Sequence, residues 1–454
     1  MRSGRILRRM ATTAAVGIVA VCPGTNAGAR TGAQVEVDST PRAQGWALVT
    51  ELARVTGAQH TSEAPRWHSV DAVFSVHSPL PAPTPFPARA DAGKGADAAL
   101  RSTERQSGEP EIVIETYYND VAYRHVRSQR LHERATLERL RRTGDPDPRF
   151  AGNRQIPPFP AGSMIVLAAW WPVAGDAPTP LPVWDPDDNL PRRGGNHYLT
   201  WKRIVALSAP SRSPGLAGSA TDPTTQVEFA GRAVPDARRI SLDRFLQVDL
   251  DAAWTARAMR DPRLRRAAIF ALRRPLAAGD RLVLVAAHVI GKPDGEWRWA
   301  TLWWHDRPDQ GPFARGRPAT LSGAWRQYLV DVAQDPLTTQ ADGSMAPASF
   351  NPWLEARFPD GGAGGGMSSH CIVCHRRASY PAARFLPVTR GGPDVSSDAA
   401  FSPGRLRTDF VWGIARRPDD RSPEAASASN QGAARTAGTA KSTTTRELLI
   451  ERLR

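Results

Sequence analysis

Apolar positions fall into short dense blocks along the middle of the chain: 163–171 (SMIVLAAWW), 198–207 (YLTWKRIVAL), 281–290 (RLVLVAAHVI) and 297–304 (WRWATLWW). Their length and their Val, Ile and Trp content predict buried strands. The last two blocks are separated by Gly291-Lys292-Pro293-Asp294-Gly295, which predicts a hairpin with a longer loop. Residues 111–118 (EIVIETYY) alternate apolar and polar side chains like a half-buried strand. Spacing of three and four predicts helices over 46–55 (WALVTELARV), 242–259 and 263–274. It also predicts one very basic helix over 121–142, with Val126, Leu131, Leu137 and Leu140 on its apolar stripe. The sum is an α+β, β-rich fold: a β-sandwich-like body with flanking helices and a C-terminal loop or helix.

Two stretches carry no period. Residues 78–110 are dominated by Pro, Ala, Gly, Asp and Arg, a linker without a core. Beyond Arg417 the chain is Ser, Thr, Ala, Gly and Arg, the composition of a disordered tail. The expected organisation is an N-terminal helical segment (30–77), the linker, a β-rich body (111–360), a segment at 361–416 and the tail (417–454). Residues 410–414 are expected to pack back on the body.

Residues 1–29 have the pattern of an export signal. Arg2, Arg5, Arg8 and Arg9 precede the apolar run 11–21 (ATTAAVGIVAV), and Ala27-Gly28-Ala29 fits a small-x-small cleavage site. Lipid modification of Cys22 is disfavoured by Val21, and a twin-arginine reading of Arg8-Arg9 by Met10-Ala11-Thr12. No later run reaches the length of a membrane span, and the expected location is the periplasm.

At 41% hydrophobic and 23% charged, the 454-residue chain can bury a core, which excludes wholesale disorder. The formal charge of +14 is nearly all arginine, since Lys94, Lys202, Lys292 and Lys441 are the lysines. These arginines are scattered rather than gathered into a tail or a basic helix, so nucleic acid is not an expected partner. The 14 tryptophans read first as core packing and cross-strand pairs, with an aromatic wall around a ligand as the alternative. Asp185, Asp187 and Asp188 (WDPDDN) lack the frame of a calcium loop and read as a turn.

The chemistry concentrates in three residues. After the signal the chain keeps only Cys371 and Cys374, set as Cys371-Ile372-Val373-Cys374-His375. A C-x-x-C-H run is the attachment signature of c-type haem: two thiols add to the two vinyl groups, and the adjacent histidine is the proximal iron ligand. One covalent haem c is the expected cofactor. A zinc knuckle lacks a second cysteine pair, and a thioredoxin-like dithiol lacks a preceding βαβ unit. A small Cys371–Cys374 disulfide stays open.

The sixth ligand is less defined, because neither Met nor His follows His375. His305, beside Trp303-Trp304, is the foremost upstream candidate for the distal position. His288 and Met345 follow, then Met367, His197 and His370, with an open site as the other outcome. Arg376, Arg377 and Arg384 are candidates to pair with haem propionates, although solvent-exposed arginines are the plainer reading.

Taken together, the blocks PPFPAGSMIVLAAWWPV, LPVWD, TWKRIVAL, LVLVAAHV with WRWATLWWH, NPWLEARF and SSHCIVCHRRASYP resemble a family of exported bacterial proteins grouped as cytochrome c family proteins. The resemblance spans roughly 111–414. It implies covalent haem at Cys371, Cys374 and His375, and no particular activity. The function expected is that of an exported monohaem c-type cytochrome-like protein, transferring electrons to a periplasmic redox partner. The alternatives are a five-coordinate haem enzyme or gas-binding protein, or a β-rich ligand-binding protein with an accessory haem. Whether the chain is an enzyme stays open.

Overall fold

The computed structural model describes residues 40–57, 66–75, 112–188, 198–209, 223–334, 348–355, 369–383 and 398–418. In chain order the strands are β1 (Trp67–Ser69), β2 (Val113–Asn119), β3 (Asp145–Pro146), β4 (Arg154–Gln155), β5 (Met164–Val173), β6 (Thr179–Val183), β7 (Arg203–Ser208), β8 (Thr224–Phe229), β9 (Arg232–Ser241), β10 (Gln247–Asp249), β11 (Arg281–Gly291), β12 (Arg298–Trp304), β13 (Tyr328–Ala333), β14 (Ser379–Tyr380) and β15 (Leu406–Arg407). The helices are α1 (Pro41–Gly57), α2 (Val70–Phe74), α3 (Asp120–Ser128), α4 (Arg134–Thr143), α5 (Ala252–Ala258), α6 (Pro262–Leu272), α7 (Cys371–Arg376) and α8 (Trp412–Arg416). The fold is α+β and rich in β-structure, as the apolar blocks predict.

The main sheet runs β1-β2-β5-β11-β12-β13, with β10 paired to β11. The expected β11–β12 hairpin is present, with His288 opposite Thr301 and Ile290 opposite Trp299. Register then fixes which residues share a face. Tyr118, Ile165, Ile290, Trp299 and Ala333 form one row across five strands, and Leu167, His288, Thr301 and Asp331 form the next row on that face. A third row brings Ala169, Ala286, Trp303 and Leu329 together.

That face carries two different covers. Its Trp303 end packs against a second sheet, β6-β7-β9-β8, where Trp184 meets Trp303 edge-on with ring centroids 5.5 Å apart. Its Trp299 end packs against Ile372, Tyr380, Leu406, Phe410 and Ile414 of the C-terminal segment. Residues 410–414 do pack back on the body. On the opposite face lies α1, so close that a Cβ at Gly45 would stand 2.3 Å from Val332 Cγ2. Trp46, Val49 and Leu52 of α1 join the main core, and β1 pairs with β2. Within the expected N-terminal segment, α1 and β1 thus pack on the main sheet. The linker at 78–110 lies outside the described residues, as do the signal at 1–29 and the tail from 419 onward.

Three element boundaries differ from the sequence reading. Residues 121–142 are two helices, not one: Arg130 turns left-handed (φ 54°) and ends α3 before α4 begins. The basic composition hid this break, because arginine is a good helix former elsewhere. Within 242–259 only Ala252–Ala258 is α-helical, and Gln247–Asp249 instead adds a strand beside β11. Tyr198–Thr200 forms a 3₁₀ turn before β7, and Asp188 closes the turn at Asp185 by accepting its N–H (3.1 Å). The turn reading of that acidic stretch holds. Among the described residues no helix is long and apolar enough to cross a membrane.

Candidate functional site

The C-x-x-C-H run forms α7, a turn and a half of helix laid on the Trp299 end of the main sheet. Its backbone closes through Cys374 N–H to His370 O (3.0 Å) and Ala378 N–H to His375 O (3.0 Å). Positions i, i+3 and i+4 share one helix face. Cys371, Cys374 and His375 occupy that face and are half-buried, whereas Ile372 and Val373 are buried and anchor the helix. The spacing thus brings two thiols and an imidazole to one side of a short helix that the core holds in place.

His375 is oriented from two directions. Its ring meets Trp299 edge-on, centroids 4.7 Å apart, and its Nδ1 lies 2.8 Å from the Phe410 carbonyl oxygen. A carbonyl only accepts, so Nδ1 carries the hydrogen and donates, leaving the Nε2 lone pair free of a proton. That is the arrangement in which an imidazole binds a metal through Nε2 while a backbone acceptor fixes its tautomer.

The two thiols are unbridged. Cys371 Sγ lies 3.4 Å from Ser349 Oγ. Burial, with the negative charge of Glu355 adding to it, raises the Cys371 thiol well above its usual range. Burial raises Cys374 to about 12, with Arg377 opposing the shift. Both sulfurs are therefore protonated near neutral pH.

Beside α7 the sheet face turns polar. His288 Nε2 pairs with Glu355 Oε1 at 2.6 Å, and Glu355 also accepts the Asn351 N–H. Fully buried Asn351 donates from Nδ2 to Thr301 Oγ1 (2.7 Å) and to Leu302 O (2.9 Å). Its Oδ1 accepts from Trp353 N–H (3.0 Å). Burial lifts Asp331, in the same row as His288 and Thr301, to about 6.

His305 is not brought to this site. It follows β12 at the end opposite Trp299, roughly 20 Å away at the usual rise per strand residue. There it is buried beside Asp185 (3.6 Å) and Asp306 (3.7 Å), and its Nδ1 accepts the Arg307 N–H (2.9 Å). The structure thus places His305 at the far end of β12 from the Cys371–His375 run. His288 shares the sheet face with Trp299, but its Nε2 is taken by Glu355. His370 is fully buried under the start of α7. Met345, Met367, His197 and Arg384 lie outside the described residues.

Arg377 is a second correction. It is 2% exposed and forms a double hydrogen bond with Asp398, Nε to Oδ2 at 2.5 Å and Nη2 to Oδ1 at 3.0 Å. It is neither a solvent arginine nor free for a propionate. Instead it ties α7 to residues 398–401, where Asp398 also caps the turn by accepting Ala400 N–H (2.9 Å).

Trp171, Trp184, Trp201, Trp303 and Trp353 pack in the main core, as the core-packing reading expects, and Trp299 meets His375 edge-on. Glu355, Asn351, Asp398 and the Phe410 carbonyl carried no local sequence pattern, because each acts across a long chain separation. No family model matches the chain, and neither the curated proteins nor the solved structures yield a match.

Proposed function

We propose that this chain is an exported monohaem c-type cytochrome-like protein. It holds one haem covalently through Cys371 and Cys374, with His375 as proximal ligand, and transfers electrons to a periplasmic redox partner. The observation that carries the reading is the shared half-buried face of α7, with His375 Nδ1 committed to the Phe410 carbonyl. Cys371 and Cys374 would hold the haem through thioethers, each sulfur and its hydrogen adding across one vinyl group. A bound haem supplies a one-electron redox centre, or an iron position open to a small ligand. The chain's own part is to fix the proximal nitrogen, exclude water with Trp299, Ile372 and Ile414, and tie the helix down through Arg377 and Asp398.

The far placement of His305 favours a second reading, an open sixth position that binds a small molecule at iron. Carbon monoxide separates the two when added to the reduced protein made in a host with cytochrome c maturation machinery. Sharp α and β bands that carbon monoxide leaves unchanged support the electron carrier. Broad high-spin bands that shift with carbon monoxide move the assignment to gas binding or catalysis. A chain that leaves that host without covalent haem overturns both.

A further inference from the structure

The Phe410 carbonyl that meets His375 comes from an improbable piece of backbone. Residues 408–411 close a tight turn, Val411 N–H donating to Thr408 O (2.9 Å) and Thr408 Oγ1 to Val411 O (3.0 Å). Both central residues are left-handed, Asp409 at φ 45° and Phe410 at φ 67°. Turns of that kind favour Asn-Gly or Asp-Gly, and a phenylalanine at positive φ persists only where its surroundings over-determine it.

Those surroundings are specific. Asp409 Oδ2 accepts from Phe159 N–H (2.8 Å) and from Lys292 Nζ (3.2 Å). Lys292 is itself buried, with its ammonium 5.2 Å from the centre of the Trp297 ring. Its backbone is pinned on both sides, Lys292 N–H donating to Ser163 O (2.9 Å) and Gly162 N–H to Lys292 O (2.7 Å). A buried lysine stands out in a chain whose positive charge is nearly all arginine; the other described lysine, Lys202, is exposed. A guanidinium is a wide planar fork, whereas an ammonium is a compact point charge that fits against one carboxylate oxygen.

We propose that Lys292 and Asp409 are positioning residues, which hold the Phe410 carbonyl against His375 Nδ1 and so fix the tautomer of the neutral His375 ring. The hairpin loop between β11 and β12 thereby sets the proximal ligand from a distance. The consequence at iron rests on the haem reading; the consequence for the imidazole holds in the metal-free chain.

The test has two arms. In the ¹⁵N-labelled, metal-free full chain at pH 8, His375 is expected as the Nδ1–H tautomer with slow solvent exchange at that hydrogen. K292M and D409N, each checked for native circular dichroism, are expected to shift a substantial fraction to Nε2–H and to speed exchange at least tenfold. An Nε2–H wild-type ring, or a tautomer unchanged in both folded variants, overturns the proposal. In the haem-loaded protein, loss of the carbonyl contact raises the reduction potential in both variants, because a weaker hydrogen-bond acceptor makes His375 a poorer donor to iron. Acting as bare charges, the two residues would move it oppositely, down in K292M and up in D409N, and that result also overturns the proposal. If no haem attaches in a maturation-competent host, the haem reading fails and the tautomer arm still decides this one.

Discussion

The two covers on one face of the main sheet are built by different physics. At the Trp303 end, long strands and edge-on indoles dominate: Trp171 meets Trp353 with centroids 5.7 Å apart and Trp184 meets Trp303 at 5.5 Å. At the Trp299 end, α7, α8 and strands of two residues are too short to be stable by propensity. Beside their apolar contacts they are held by polar ties: Arg377 to Asp398, Tyr380 Oη to Glu138 Oε1 (2.9 Å), and Arg407 Nη1 to Ala400 O (2.9 Å). The body is held mainly by area and the segment carrying α7 by a smaller apolar contact reinforced by polar ties, so the second is the more sensitive to loss of any one polar contact.

That contrast can be broken most forcefully at Trp303. W303A opens a void between the sheets and is expected to cost about 3–5 kcal/mol, read as a lower denaturant midpoint for the whole fold. Folded molecules of that variant should retain the His375 environment, seen in its imidazole NMR signals. R377M strikes the other region. Removing one partner of a buried ion pair costs about 3 kcal/mol or more, and here the loss should appear as accelerated amide exchange confined to 369–383 and 398–418. Adding D398L to R377M removes the stranded carboxylate and should restore most of that protection, which no polar partner change can do for W303A. N351A removes the side chain that ties residues 351–354 to β12 through Thr301 Oγ1 and the Leu302 carbonyl, and is expected to cost about 1–3 kcal/mol.

The smallest effect is a difference in pH response. Burial holds Asp331 at about 6 in the folded protein, above the ~3.9 of an unfolded chain. Its carboxylate therefore weakens the fold at high pH, and stability should rise as pH falls from about 7 to about 4. D331N should flatten that slope. Asp398 has the opposite sign. Burial pushes its pKa up, but hydrogen bonds from Arg377 and the Ala400 N–H outweigh burial and hold it below the usual carboxylate range. Its contribution is present above about 3.9 and lost as pH falls through its folded value. Amide exchange near α7 should therefore accelerate below pH 4, while the second sheet stays protected.

The same division explains what could be read from the chain. Strands β5, β11 and β12 announced themselves because burial on both faces demands unbroken apolar runs. The C-x-x-C-H face was equally legible, since its chemistry lies within five consecutive residues. Strand β13 (YLVDVA) is a short apolar run with no alternation to mark it, and β9 is too polar to show a period. The place of His305 could not be read from the chain, because the direction in which β12 leaves Trp299 is set by pairing with β11 and β13. Arg377 looked like any arginine in an arginine-rich chain until Asp398, 21 residues on, was placed against it. Lys292 and Asp409 are 117 residues apart, and no local pattern links them.

The most direct test of the central claim is the intact mass of the exported chain from a maturation-competent host, set against a C371A/C374A variant made alongside it. The account predicts that the wild-type chain carries the mass of one haem after denaturation and that the variant carries none. A wild-type chain with no added mass, or one lighter by two hydrogens from a Cys371–Cys374 disulfide, would contradict it.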